Sequence, residues 1–221
     1  MKKIMFNDYY GLTEAVLDGR KTTTRRIITC PKTFKGEWVA GFHVYKRQSD
    51  GAVLEYPCIY DADERDFDGG QILPKYKIGD VVAVAQCYAS IVDELENPKN
   101  FVCMEHWEST SPKRAHYCSF LHHPGMTNKM FVSADEMPHQ IRITNVRVER
   151  LQDISDEDCI KEGIEFSHKA QRFYVSNDNG VRIWLGETPR EAFASLIDRV
   201  SGKGTWESNP YVFAYDFKLV K

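Results

Sequence analysis

The sequence lacks any long hydrophobic run. Its longest uninterrupted apolar stretch, Val81–Ala85, has five residues, whereas a membrane-spanning helix needs about 18 or more. The chain also begins without the charged and then apolar segments that are typical of a secretory leader. We therefore expect no association with a membrane, and we expect the protein to be cytoplasmic.

An excess of basic residues is also missing. The 29 lysines and arginines are outnumbered by 32 aspartates and glutamates, which gives a formal net charge of −3. Proteins that coat nucleic acid nonspecifically are usually strongly basic, so this class is excluded. Any contact with a nucleic acid or a nucleotide must come from a local patch, and lysines and arginines are in excess within the first thirty residues.

Paired cysteines are absent too. The six cysteines form no Cys-x-x-Cys pair, and free buried thiols are their usual state in a reducing compartment. One segment offers two thiolates and two imidazoles, a set that suits tetrahedral zinc: Cys103, His106, His116 and Cys118. Their spacing matches no standard zinc finger. Loop cysteines with exposed histidines are the simpler interpretation, and we expect no metal or other cofactor.

What the sequence does contain is a globular composition with many strand-like segments. Of the 221 residues, 42% are hydrophobic and 28% are charged. No regular alternation of strands and helices is present, which argues against a doubly wound parallel sheet. We predict a mainly β (α+β) fold, a small β-barrel with short helices at its rim. We predict one domain over 1–221, with insertions at about 31–74 and 90–138.

Individual elements follow from local patterns. Apolar residues at helical spacing predict a helix around Leu12–Val16, and a capping box predicts that another helix begins after Thr188. The polar, acidic segment Asp61–Gly70 predicts a loop. Apolar and β-branched stretches predict the following strands: Lys3–Phe6, Thr22–Ile28, Trp38–Tyr45, Val53–Tyr60, Val81–Ala85, Ile141–Leu151 with an irregularity near Asn145, and Tyr211–Val220.

Functional residue types are densest between the first helix and the strand that follows it. The spacing Gly19-x-Lys21-x-x-Thr24-x-Arg26 brings an amine, a hydroxyl and a guanidinium to the entrance of one strand. Considered alone, this pattern favours a basic surface turn, since charged clusters usually face water.

The same spacing resembles the signature of the ASCH (ASC-1 homology) domain family. Three later segments resemble that family in the same order: Tyr76–Asp80, Ile141–Gly163 and Gly202–Phe217, the last being similar to members encoded by phages and prophages. The resemblance implies a PUA-like β-barrel, related to RNA-binding domains of pseudouridine synthases and archaeosine transglycosylases. It does not extend to the two predicted insertions.

The resemblance also implies a chemistry. Small bacterial members hydrolyse the acetyl amide of acetylcytidine, and the residues implicated there correspond to Lys21, Thr24 and Glu162 of this sequence. These three are the candidate catalytic residues: a threonine hydroxyl activated by a lysine of lowered pKa, and a glutamate that relays a proton. Alternatively, the same groups only bind a base, with Lys21 and Thr24 as donors and Glu162 as the acceptor.

Five further residues are candidates for ligand binding. Arg20, Arg25 and Arg26 surround the lysine and would help to lower its pKa. After the apolar strand, larger phage-type members have an Arg-Glu pair before an aromatic residue. Here Ala85-Gln86-Cys87-Tyr88 stands in place of that pair, so the polar contact made by the pair would be altered and the ligand would differ. Gln86 and Tyr88 are the candidates for ligand binding in this segment.

Three functions are therefore open. We expect first a module that binds a nucleobase, nucleoside, nucleotide or RNA in a cleft lined by Lys21, Thr24, Arg26 and Glu162. The second possibility is an amidohydrolase that removes an acyl group from a modified cytidine or a similar small amide. The third is a scaffold whose insertions bind a protein partner.

Overall fold

The computed structural model shows a mixed α/β protein in which strands predominate over a few helices. It describes residues 1–49, 51, 53, 56–96, 116, 119–177 and 179–220. The strands are β1 (Lys3–Ile4), β2 (Thr23–Ile27), β3 (Thr33–Phe34), β4 (Glu37–Trp38), β5 (Gly41–His43), β6 (Cys58–Tyr60), β7 (Asp66–Gln71), β8 (Val81–Val84), β9 (Gln140–Arg150), β10 (Glu165–Ser167), β11 (Arg172–Ser176), β12 (Arg182–Gly186) and β13 (Tyr211–Leu219). The α-helices are α1 (Leu12–Leu17), α2 (Tyr88–Glu96), α3 (Asp156–Lys161), α4 (Pro189–Ser201) and α5 (Thr205–Ser208).

The largest sheet has five strands in the order β1-β8-β9-β13-β2. β1 and β8 are parallel, and the other neighbours are antiparallel. The apolar run predicted as a strand is β8, and its Val82 and Val84 are fully buried. The register of β9 against β13 shifts between Asp216 and Phe217, opposite Asn145. This shift confirms the predicted irregularity in the long strand.

The edges of this sheet are β1 and β2, and no ladder joins them in the described part of the chain. The backbone hydrogen bonds therefore do not close a barrel here. Instead, the Arg26 side chain of β2 donates to the carbonyl of Met5, the residue after β1. We call the gap between these two edges the seam.

Helix α4 covers one side of the core. Its capping box is present: Thr188 Oγ1 accepts from Glu191 N at 3.2 Å, and the Glu191 carboxylate accepts from Thr188 N at 3.3 Å. Phe193 and Leu196 of this helix are buried in the main hydrophobic cluster together with Phe217 of β13. Phe217 is 2% exposed.

Two stretches differ from the sequence-based expectation. Asp61–Gly70 was expected to be a loop, but β7 begins at Asp66 and pairs with β6. The polar composition reflects the exposure of an edge strand and not an absence of regular structure. A three-stranded sheet, β10-β11-β12, also forms in a region for which the sequence predicted no strand.

The two predicted insertions are described to different extents. Strands β3 to β7 lie within 31–74, as two small antiparallel sheets. Much of 90–138 is outside the described residues, which omit 97–115, 117 and 118. None of the helices in the described ranges is both long enough and apolar enough to cross a bilayer.

Candidate functional site

The structure brings Lys21 and Glu162 together across 141 positions of sequence. Lys21 lies two residues before the start of β2, and Glu162 is the C-cap residue of α3. The two residues form an isolated antiparallel bridge, supported by a hydrogen bond from Thr22 N to the Lys161 carbonyl at 2.9 Å. The helix end and the strand entrance are therefore held against each other by backbone contacts.

Gly163 makes this close approach possible. Its φ of 98° lies in the region that favours glycine, and a Cβ at this position would be 3.3 Å from Lys21 Cβ. A residue with a side chain would strain the turn and push the two elements apart. The glycine after Glu162 is therefore part of the geometry that sets the lysine beside the glutamate.

Lys21 and Glu162 form a buried ion pair. The Lys21 ammonium contacts the Glu162 carboxylate through Oε2 and donates to the carbonyl oxygen of the same residue at 2.9 Å. The exposed fractions are 2% for Lys21 and 5% for Glu162. Charged groups are rarely this deeply buried unless they are paired, and a buried pair with perturbed protonation is a frequent feature of functional sites.

Arg25 holds the other oxygen of the same carboxylate. Its guanidinium donates to Glu162 Oε1 at 3.1 Å, to Glu149 Oε1 at 2.8 Å and to Asp158 Oδ2 at 3.1 Å. Arg147 joins the same network through Asp158 at 3.1 Å. The Glu162 carboxylate is thus fixed between two cations and cannot rotate without breaking one of these contacts.

The protonation balance of Lys21 is set by opposing effects. Burial lowers the pKa of the Lys21 amine, the contact with Glu162 raises it, and the charges of Arg26 and Arg25 lower it further; the net direction is downward. A lysine of lowered pKa releases its proton more readily than a lysine in water and can then act as a base.

Thr24 is buried beside these charges, with 5% of its surface exposed. The hydroxyl that is buried without a partner in the described part of the chain is that of the neighbouring Thr23, which is not among the cavity-lining residues. Thr24 lines a cavity of about 290 Å³ together with Lys21, Arg25, Arg26 and Glu162. Its hydroxyl is therefore available to a molecule that occupies this space.

We call this space the site cavity, and its lining is part polar and part apolar. The polar part carries the charged residues, Asn7, Thr24 and Ser201. The apolar lining residues are Phe6, Leu12, Ile27, Phe193, Leu196, Ile197 and Val200. The ring of Phe6 also lies under the cations, with its centroid 5.8 Å from Lys21 Nζ and 5.7 Å from Arg26 Cζ. Such a cavity suits a flat ligand with polar edges.

Three of the residues expected to bind a ligand do not line the site cavity. Arg20 forms ion pairs with Asp18 and Glu165, at 3.0 and 3.1 Å. Gln86 donates to Glu94 at 3.0 Å, and its Oε1 is buried without a partner in the described chain. Tyr88 stacks on Phe120 with ring centroids 4.5 Å apart and belongs to a second, smaller hydrophobic cluster.

The zinc candidates cannot be assembled from the described residues. Cys103, His106 and Cys118 lie outside them. His116 lies within them, and its Nε2 is 2.9 Å from Glu136 Oε2. Within the described ranges, no group of three or more histidine, cysteine, aspartate or glutamate side chains has the arrangement of a metal site.

Sequence reasoning did not assign a role to Glu149 or Asp158, although both hold Arg25. The sequence signals were Glu149, a carboxylate within a long predicted strand, and Asp158, a carboxylate in the first turn of the helix that Glu162 ends.

Comparisons with protein-family models, with curated proteins and with solved structures find no match for this chain. The assignment of function therefore depends on the site itself.

Proposed function

We propose that the chain is an ASCH-type module with a PUA-like barrel, and that it binds a nucleobase, nucleoside or RNA end in the site cavity. The curled five-stranded sheet supports the fold assignment, because its two edges approach closely enough for Arg26 to reach the carbonyl of Met5. A barrel that is open at one seam would leave its ligand site at that seam.

The observation that carries the proposal is the buried Lys21–Glu162 ion pair, which lines one cavity together with Thr24. Lys21 and Thr24 supply donors for exocyclic oxygens, and Glu162 supplies an acceptor for an exocyclic amine. The apolar residues of the cavity lining would contact the face of the base. These features match the hydrogen-bonding edge and the flat face of a nucleobase.

A purely structural role for the ion pair is the competing interpretation. Buried ion pairs contribute little net stability, because desolvation offsets their attraction. A structural network would gain most from being sealed by packed side chains, since empty space removes contacts. Here the charged residues line about 290 Å³ of space, and this arrangement favours a ligand.

Calorimetric titration with the four ribonucleosides and N4-acetylcytidine tests the proposal. We expect at least one of them to bind, and we expect Thr24→Val, which removes the hydroxyl but keeps the shape, to weaken binding by about tenfold. Thr33→Val is the matched control, since Thr33 is exposed and outside the cavity. Absence of binding to every probe, or equal losses in both variants, would contradict the proposal.

An amidohydrolase is the second candidate, and the lowered pKa of Lys21 favours it. In this reaction, neutral Lys21 takes the proton of Thr24 as the hydroxyl oxygen attacks the acyl carbon. The carbon–nitrogen bond then breaks, and the proton passes to the departing amine. Water hydrolyses the resulting threonine ester and releases the acid.

An assay that uses chromatography to monitor the release of cytidine from N4-acetylcytidine distinguishes the amidohydrolase from the binding module. Turnover that is lost in Lys21→Met and kept in Lys169→Met supports the enzyme; Lys169 is an exposed lysine remote from the cavity lining. Binding without turnover supports the binding module alone.

A further inference from the structure

A second cavity adjoins the site cavity on the other side of Arg26. Its volume is about 480 Å³, and Arg26 and Ile27 line both spaces. We call it the seam cavity, because it lies between Met5, which follows β1, and the end of β2. Its other walls come from the segment before β8, including Tyr76, and from β13.

All the charged residues that line the seam cavity are cations. They are Lys3, Arg26 and Lys75, and the remaining lining residues are apolar, aromatic or threonine. Lys3 Nζ is engaged by the carbonyls of residues 129, 130 and 132, at 3.1, 2.7 and 2.8 Å. Lys75 is exposed and has no hydrogen-bond or ion-pair partner for its ammonium among the described residues. The positive field in this cavity favours an anionic ligand.

Arg26 is the cation best placed to receive that anion. A guanidinium has five N–H donors, and the described chain provides Arg26 with a single acceptor, the Met5 carbonyl. No carboxylate of the described residues forms an ion pair with it, in contrast to the neighbouring Arg25, which has three. Leaving a partly buried cation without a counter-charge is unfavourable, and an arginine fork fits a phosphate well.

The rim and walls of the seam cavity suit a base. Leu73 is 57% exposed at the rim, and an exposed apolar side chain gains from being covered by a flat aromatic group. Tyr76 and Tyr215 form an aromatic inner wall, with ring centroids 5.5 Å apart. The two base-sized cavities share one guanidinium that has no carboxylate partner among the described residues. This arrangement corresponds to two bases joined by one phosphodiester.

We propose that the physiological ligand is a strand of at least two nucleotides, with one base in the site cavity, the next in the seam cavity, and the phosphate between them on Arg26. This inference depends on the proposed function, because it extends the same site to a second base. Under this inference a free nucleoside is only a partial ligand. It fills one of the two cavities and leaves the Arg26 guanidinium without an anion.

The test compares the sixteen ribodinucleoside monophosphates with the ribonucleosides and with the corresponding nucleoside monophosphates, by calorimetric titration of the intact chain. We expect the best dinucleotide to bind about tenfold or more tightly than either of its nucleosides or mononucleotides. We expect part of this advantage to be lost when the phosphodiester is replaced by an uncharged methylphosphonate, which keeps the second base but removes the charge that Arg26 would bind. That replacement is made in the ligand, so the protein fold is not affected.

Two variants locate the second base. Leu73→Glu places a carboxylate at the rim of the seam cavity and should weaken the dinucleotide while leaving nucleoside binding unchanged. Ile78→Glu is the matched control, since Ile78 is 65% exposed and lines neither cavity. Arg26→Gln should remove the difference between the phosphodiester and the methylphosphonate.

The outcomes separate the inference from the proposed function. If nucleosides bind as tightly as dinucleotides and Leu73→Glu has no effect, the inference is overturned and the binding module stands. If mononucleotides equal dinucleotides, Arg26 receives a phosphate but the seam cavity holds no base, and the inference is again overturned. If no probe binds, both fail.

Discussion

Replacing Glu162 by glutamine removes the counter-charge of Lys21 and keeps the shape of the side chain. Arg25 still has Glu149 at 2.8 Å and Asp158 at 3.1 Å. Lys21 has the carbonyl of residue 162 at 2.9 Å but no carboxylate. Breaking a buried pair from one side costs about 3–5 kcal/mol, and the retained carbonyl contact places our expectation at the lower end, about 3 kcal/mol.

Removing the other partner should be milder. In Lys21→Met, the Glu162 carboxylate keeps Arg25 at 3.1 Å, and the methionine is as apolar as its surroundings. We expect a loss of about 2 kcal/mol, which is within the range typical of a hydrogen bond to a charged group. The asymmetry between the two substitutions follows from the position of Glu162, which has two cationic partners, whereas Lys21 has one carboxylate.

The pH dependence has a definite sign. Because burial lowers the pKa of Lys21 below its usual 10.5, the unfolded chain holds this proton over a pH range in which the folded chain releases it. The contribution of Lys21 to stability therefore rises with pH in that range. Glu162 raises this pKa, so Glu162→Gln lowers it further and moves the start of the range to lower pH. The destabilisation caused by Glu162→Gln should shrink as the pH rises.

Urea unfolding followed by tryptophan fluorescence measures these differences at about pH 6 and about pH 9. The double variant Lys21→Met/Glu162→Gln completes the cycle and should be more stable than Glu162→Gln alone, because it contains no unpaired ammonium. Equal losses for the two single variants, with no change between the two pH values, would show that Lys21 is not buried against Glu162 as a charged pair.

Two other expectations follow from local geometry. Gly11→Ala should destabilise the fold by more than about 2 kcal/mol, because φ is 60° at this position and the new Cβ would lie 1.9 Å from Ser176 O. Gly19→Ala should cost only about 1 kcal/mol, because Gly19 has a φ of 73° but no atom within 4 Å of the new Cβ. Similar urea midpoints for the two variants would contradict this expectation. Burial raises the pKa of Cys159 to about 12. Its thiol should therefore resist iodoacetamide in the native protein at about pH 8 and react once the protein is unfolded in urea. Peptide mass mapping measures this difference, and alkylation of Cys159 in the folded chain would contradict its burial.

Elements whose patterns arise from burial or capping were predictable from the sequence. The helix at Leu12, the buried strand at Val81 and the capping box at Thr188 are all present. In each case the signal is local: helical spacing, a continuous apolar run, or a hydroxyl three residues before a glutamate. The edge strand β7 was not predicted, since an exposed strand carries little apolar alternation. The sheet β10-β11-β12 was not predicted either, although Phe173–Val175 of β11 are buried, because three apolar residues between polar neighbours are too short a signal.

The site was predictable only in part, for a similar reason. Spacing within Gly19–Arg26 and the glutamate before Gly163 directed attention to Lys21, Thr24 and Glu162, and these residues do line one cavity. The three partners of Arg25 come from β9, from α3 and from its end. No local pattern indicates which carboxylate will meet which guanidinium across more than 120 positions of sequence, because that depends on the tertiary fold.

The location of both cavities has a common cause in the sheet. β1 has only two residues in its ladder with β8, and its other edge forms no ladder with β2 in the described chain. An unpaired edge leaves backbone and side-chain polar groups to be satisfied by other means, and here one arginine side chain bridges the two edges. A ligand that binds Arg26 from both sides would complete the closure that the backbone leaves open. Binding at the seam should therefore stabilise the fold as well as fill the cavities, since a ligand that binds only the folded chain shifts the unfolding equilibrium.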